Sequence, residues 1–277
     1  MKAWIIADNR LGEQKTKLKA EHGLSIYLEI KGNYYLFDTG NSDLFIKNAS
    51  VLSLNIDHTK CLILSHAHRD HTGGLEAYIA HNPSAPIYLS GHCKKAHCYS
   101  TRHKEIKNIS TNLSLFDLFL SRFHFILHNI QLTPEISIIA DIPIVHPIPS
   151  GNQTLKISDG KDNLSADNFK HEMAIAVKTN NGVIVLSACS HKGILNTMEA
   201  AHNFTGEIPI AYIGGSHFLD GYETVENIRN FSNLFHQKYP SCHLYTGHCT
   251  GDNTALQLSN LLGEKFTLFH TGDCLTL

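Results

Sequence analysis

The feature that constrains this chain most is a short apolar run that stops at a block of metal-type ligands. Cys61-Leu62-Ile63-Leu64-Ser65 has the composition of a buried strand, and His66-Ala67-His68-Arg69-Asp70-His71 begins where it ends. Functional side chains commonly sit on loops at strand ends, where a rigid scaffold aims them. His66 and His68 are two apart, so an extended backbone projects both rings the same way. Asp70 and His71 follow at the start of a helix, and Thr72-Gly73-Gly74 allows a tight turn into it. One pair of ligands can grip one ion while the next pair grips a second. Imidazole with carboxylate suits zinc, iron or manganese better than calcium or magnesium. Histidine richness does not account for the block. With 20 histidines in 277 residues, three histidines and an aspartate at these offsets arise by chance in about 0.005 such chains.

Other β-rich runs recur along the chain. Leu24–Ile30 and Tyr34–Phe37 flank Lys31-Gly32-Asn33, a hairpin signal. Further strands are predicted at 61–64, 87–89, 136–145, 173–178, 183–188, 208–213, 243–245 and 266–269. Helices are predicted at 43–54, 74–81, 113–127, 194–203, 224–239 and 254–262. The third of these rests on Leu113, Phe116, Leu120, Phe123 and Leu127 falling at spacings of three and four. Strands therefore come in groups with helices between, first in one half and then in the other. That order predicts an α/β (α+β) protein in four layers, an αββα sandwich. With no Pro/Gly/Ser linker, residues 1–277 read as a single domain, and 94–132 reads as a helical insertion, either a lid or a hairpin of the outer layer.

Net charge is −2, so no basic field exists to attract nucleic acid or an anionic membrane surface. The apolar start Met1–Ala7 meets Asp8 at once, too short for a signal peptide. The apolar stretch 113–127 is interrupted by Asp117, Arg122 and His124, and a membrane span needs roughly 20 apolar residues. Seven widely spread cysteines read as thiols of a reducing compartment, the cytoplasm.

Leu64-Ser65-His66-Ala67-His68-Arg69-Asp70-His71-Thr72-Gly73-Gly74 closely resembles the signature of the metallo-β-lactamase superfamily, and Tyr35-Leu36-Phe37-Asp38-Thr39-Gly40 resembles its first motif. The resemblance implies the αββα fold and a dinuclear site. In it His66, His68 and a third histidine hold one ion, and Asp70, His71 and a later histidine hold the other. Cys189-Ser190-His191 follows an apolar run, and His191 is the candidate for the third ligand, with Cys189 a neighbouring alternative or an inert thiol. Tyr245-Thr246-Gly247-His248-Cys249-Thr250-Gly251 resembles the final-ligand loop and nominates His248. His217, in Gly214-Gly215-Ser216-His217-Phe218, is nominated for proton transfer or substrate binding. Asp38 is expected to orient a ligand imidazole through a hydrogen bond. His171-Glu172 lies close to a predicted strand, and either residue could enter the site.

The later motifs together resemble the superfamily branch of dihydropterin–ribofuranosylaminobenzene 5′-phosphate synthases. Two reactions follow from the resemblance. One is hydrolysis of an ester or phosphoester by metal-activated hydroxide, with Asp70 and His217 as catalytic groups. The other is a transferase reaction joining a dihydropterin methyl pyrophosphate to an aminobenzene riboside phosphate. A non-catalytic metal-binding or sensor protein is the reading from another class. The expected cofactor is a pair of divalent transition-metal ions, zinc first, iron or manganese otherwise, and the expected partner is a small-molecule substrate.

Overall fold

The computed structural model describes residues 1–12, 15–102, 105–158, 160 and 163–277. They group into two compact units. The first comprises 1–127, 154–171 and 269–277, and the second 128–153 and 172–268.

The first unit is built on a seven-stranded sheet in the order Cys274–Thr276, Lys2–Ala7, Ser25–Ile30, Asn33–Phe37, Leu62–Ile63, Ile87–Ser90, Phe123–Ile126. The hairpin signal at 31–33 is borne out: Ser25–Ile30 pairs antiparallel with Asn33–Phe37 in the register Ile30↔Asn33. From Asn33–Phe37 onward the pairing turns parallel, and the strands there are correspondingly apolar. Helices Leu44–Val51 and Leu75–His81 bury Phe45, Leu75 and Tyr78 in the core. A smaller antiparallel sheet joins Leu164–Ala166, Leu155–Ser158, His97–Ser100 and Lys107–Asn108.

The helix expected over 113–127 is a correction. Only Ser114–Leu118 is α-helical; a short 3-10 turn, Leu120–Arg122, leads into the strand Phe123–Ile126. The helical spacing would have buried Leu120 and Leu127, yet these stay exposed while Phe123 enters the core. Beyond the helix Arg122 is buried, its guanidinium donating to the Ala85 carbonyl at 2.6 and 3.1 Å. Alternating Phe123 and Phe125 then suit a strand, and parallel pairing with Ile87–Ser90 overrides helix propensity. The segment 94–132 is therefore largely extended rather than helical, its residues 103 and 104 lying outside the described residues. Instead of a separate hairpin it forms a brace for the ligand loop: Arg69 N–H donates to Ile109 O, Thr111 N–H to Ala67 O, and His68 bridges Ser110.

The second unit carries a seven-stranded sheet in the order Phe266–Leu268, His243–Gly247, Pro209–Gly215, Gly182–Leu186, Ala174–Thr179, Ile136–Ile139, Ile130–Gln131. The first four run parallel and the rest antiparallel. Helices Ile194–Thr205, Val225–Lys238 and Asp252–Leu262 supply the α component, close to the predicted bounds. Val225–Lys238 starts where the Thr224 hydroxyl accepts the Asn227 N–H, and its charges complement the helix dipole, with Glu226 first and His236 and Lys238 last. Among the described residues no helix is long and apolar enough to cross a membrane, and no disulfide joins the seven cysteines.

Candidate metal centre

In the first unit the strand Leu62–Ile63 delivers Ser65, His66 and His68 into a fully interior position, and the one-turn helix Arg69–Thr72 adds Asp70 and His71. Asp38, at the end of Asn33–Phe37, is the hub. Its Oδ1 accepts the Ser65 N–H at 2.7 Å, and its Oδ2 accepts the Ser65 hydroxyl at 2.6 Å and the His71 Nδ1–H at 2.8 Å. Having given its proton to Asp38, the Ser65 hydroxyl can only accept from His66 Nδ1, 2.7 Å away. One carboxylate thus fixes two imidazoles through Nδ1, His71 directly and His66 through Ser65. Asp38 has φ +59°, a conformation of the kind that concentrates at functional sites.

The rings are gathered closely. The His66 centroid lies 4.6 Å from that of His68 and 4.2 Å from that of His71. Ligand atoms of Asp38, His66 and His71 all lie within 4.8 Å of one another, and so do those of His68, Cys98, Asp167 and His171. Burial, aided by the neighbouring His171, pushes the His68 ring down to about 3, so it is a neutral imidazole at physiological pH. His71 goes the other way: burial opposes its charge, but Asp70 and Asp38 outweigh burial and raise it to about 10. Two carboxylates demanding positive charge beside neutral imidazole is a donor set that fits a divalent cation. The Asp70 carboxylate is the accessible one, its side chain 18% exposed beside the fully buried His71.

His171 has both ring nitrogens committed. Ala67 N–H donates to Nδ1 at 3.3 Å, which places the ring proton on Nε2, where it is given to Asp167 Oδ2 at 3.0 Å. This ring props the ligand loop.

In the second unit, the strands Gly182–Leu186, Pro209–Gly215 and His243–Gly247 end in the loops that carry Cys189 and His191, His217, and His248. Glu172 plays toward His191 the part that Asp38 plays toward His71. Its Oε1 accepts the His191 N–H at 2.8 Å and Nδ1–H at 2.9 Å, and its Oε2 accepts the Lys192 N–H at 2.8 Å. Both side chains are 1% exposed. The His191 and His217 rings lie 4.6 Å apart. His217 N–H donates to Cys249 Sγ at 3.3 Å, and Cys249 Sγ–H to the Cys189 carbonyl at 3.7 Å. Tyr212 ties the loops together, its hydroxyl bonded to Ser190 and 2.9 Å from the Gly215 carbonyl. Thr250 braces the third loop through Ser216 at 2.8 Å and Thr246 at 2.7 Å. His217 and His248 hold φ of +50° and +43°, like Asp38. The sequence motifs point to the histidines and Asp38 but to neither Ser65 nor the clamp role of Glu172.

Residues 18–100 match the family model of the metallo-beta-lactamase superfamily, and the chain is similar along nearly its whole length to metal-dependent proteins of that superfamily. It is 27% identical, over 98% of its own length and 95% of the other's, to the 7,8-dihydropterin-6-methyl-4-(beta-D-ribofuranosyl)-aminobenzene-5′-phosphate synthase of Methanocaldococcus jannaschii. It is 24% identical to the uncharacterized protein MJ0448 of the same organism, over 97% of each chain. Among solved structures it is similar to Tm1679, a metal-dependent hydrolase of the beta-lactamase superfamily, with TM-score 0.83, 22% identity, and 100% and 99% of the two chains covered. The metallo-beta-lactamase fold protein YhfI from Bacillus subtilis follows at TM-score 0.58 and 12% identity, covering 99% and 98%. These likenesses establish the metallo-β-lactamase fold.

Proposed function

We propose that this chain is a hydrolase that uses two divalent transition-metal ions, zinc first among them, on a small-molecule ester or phosphoester. The observation that carries the reading is the Asp38 hub, which engages Nδ1 of His71 directly and Nδ1 of His66 through Ser65, so that metal ligation by these rings falls to Nε2. In this reading His66, His68, Asp70, His71, His191 and His248 hold the ions, and Asp38 and Glu172 orient imidazoles. Divalent ions held there supply Lewis acidity toward an ester or phosphoryl oxygen and make hydroxide available near neutral pH. Asp70 is the ligand carboxylate nearest solvent, and His217 moves a proton or binds the substrate. Cys189 is a neighbour of the ligands that shapes their surroundings. Residues 1–277 act as one domain, a reading supported by relatives that match over nearly their whole length. Neither nucleic acid nor a membrane is a partner, and cysteines without disulfides agree with a cytoplasmic protein.

A second reading is favoured by the synthase similar over 98% of this chain: a transferase that joins a dihydropterin methyl pyrophosphate to an aminobenzene riboside phosphate. Metal analysis of protein purified without added metal tests the centre, with close to two ions per chain expected. One ion, unchanged in H248A, would refute the dinuclear reading. Turnover of a panel of phosphoesters, lactones and thioesters is expected for the hydrolase. Pyrophosphate release that needs both pterin and riboside substrates, with no turnover of the panel, would replace it by the transferase.

A further inference from the structure

The segment Glu21-His22-Gly23-Leu24-Ser25 is built around the ligand loop, although nothing in the cluster spacing points to it. Leu24 N–H donates to the Asp70 carbonyl at 3.2 Å, and the Ser25 hydroxyl donates to the Asp38 carbonyl at 2.7 Å. Glu21 accepts the Asn41 N–H at 3.0 Å and the Ser42 hydroxyl at 2.6 Å, in the turn that follows Asp38. Gly23 sits so close that a Cβ there, at φ +156°, would lie 2.5 Å from the Asp70 carbonyl oxygen. Held this way, His22 places Nε2 3.4 Å from Asp70 Oδ2.

Asn9 sets which nitrogen carries the proton. Its Oδ1 accepts the Gly23 N–H at 3.1 Å, so the amide cannot turn over, and its NH2 group faces His22 Nδ1 at 3.2 Å. An NH2 group only donates, so Nδ1 is the bare nitrogen and Nε2 carries the hydrogen toward Asp70. Ligating carboxylates are themselves held by hydrogen bonds, and losing such a partner costs about 10- to 100-fold in metal affinity.

We infer that His22 is a positioning residue of the metal centre, holding the Asp70 carboxylate through Nε2–H in a tautomer imposed by Asn9. The inference rests on Asp70 being a metal ligand. In metal-free protein, the ring ¹⁵N resonances of His22 are expected to report the proton on Nε2; a proton on Nδ1 overturns the inference. In zinc competition against a chromophoric chelator, H22A is expected to weaken binding about 10- to 100-fold. H22Q, whose amide N–H reaches the same oxygen, recovers most of that loss. N9D, whose carboxylate draws the proton to Nδ1, reproduces it. Wild-type affinity in H22A while D70A binds weakly would overturn the positioning role and leave the metal reading standing. Wild-type affinity in D70A would remove Asp70 from the ligands and overturn both.

Discussion

Replacing Asp38 by Asn changes almost no volume and removes one charge, yet the hydrogen-bond inventory says it should dismantle the centre. The Ser65 N–H needs an acceptor, so the new carbonyl oxygen takes the place of Oδ1 and the new NH2 group takes the place of Oδ2. That NH2 group then faces both the Ser65 hydroxyl and His71 Nδ1. Being a donor, it forces His71 to present a bare Nδ1 and to carry its proton on Nε2. It also turns the Ser65 hydroxyl round, so that Ser65 donates to His66 Nδ1 and the His66 proton likewise moves to Nε2. One substitution therefore blocks the ligand atom of two imidazoles. Losing an orienting partner costs about 10- to 100-fold in metal affinity. Two such losses come to about 10²- to 10⁴-fold, or about 3 to 6 kcal/mol at 1.4 kcal/mol per decade.

Chelator competition on metal-stripped D38N, with S65A beside it, measures this directly. S65A cuts only the branch to His66 and is expected to lose about 10- to 100-fold, which keeps the test alive if D38N folds poorly. Affinity of D38N within a factor of about three of wild type would refute the tautomer argument. Without metal there is a second signature. The His71 pKa is raised from 6.5 to about 10 in the folded chain, so the stabilisation it draws from Asp70 and Asp38 is full below 6.5 and lost as pH rises toward 10. The stability deficit of D38N in urea is therefore larger at pH 6 than at pH 10. An equal deficit at both would show that the pair is not charged.

Glu172→Gln turns an amide NH2 toward at least one of three N–H donors on His191 and Lys192, and urea unfolding should show a loss of about 1–3 kcal/mol. Asp220→Ala removes the cap that accepts the Asn253 and Thr254 N–H groups at 3.0 Å, costing about 1 kcal/mol in the same assay. Burial works against the Asp220 charge, but those N–H groups win and hold its carboxyl below the ordinary 3.8. The cap's contribution is thus present above that pH and fades as pH falls beneath it. Gly214→Ala places a Cβ 1.6 Å from the Ser187 carbonyl oxygen; a loss above about 4 kcal/mol, or no soluble protein, is expected, and a near-wild-type melting temperature would contradict the packing of these loops.

What could be read from the sequence follows from how local each signal is. The ligands His66, His68, Asp70 and His71 advertise themselves because their spacing is set by one strand end and one helical turn. The apolar strands 183–188 and 208–213 were visible because sheet interiors demand continuous runs. Lys2–Ala7 was not, although Trp4, Ile5 and Ile6 are there to see, because its role comes from pairing with Ser25–Ile30 and with Cys274–Thr276 at the far end of the chain. Leu113–Leu127 misled for the reverse reason: a real helical spacing lost to a parallel partner strand and to a buried Arg122.

The carboxylates that fix the imidazoles form the harder half. Asp38 is marked by its own motif, but its partner His71 lies 33 residues away and Glu172 lies 19 from His191, so neither pairing is written in local spacing. Yet Glu172 did leave a trace. A carboxylate next to the run Met173-Ala174-Ile175-Ala176-Val177 sits where the fold must bury it, and a buried charge is tolerated only with donors around it. The same reasoning covers Asp167 and its partner His171, both buried. An acid pressed against an apolar strand is therefore a request for a donor. In a chain with this many histidines, the donor to look for is an imidazole whose other nitrogen is in use.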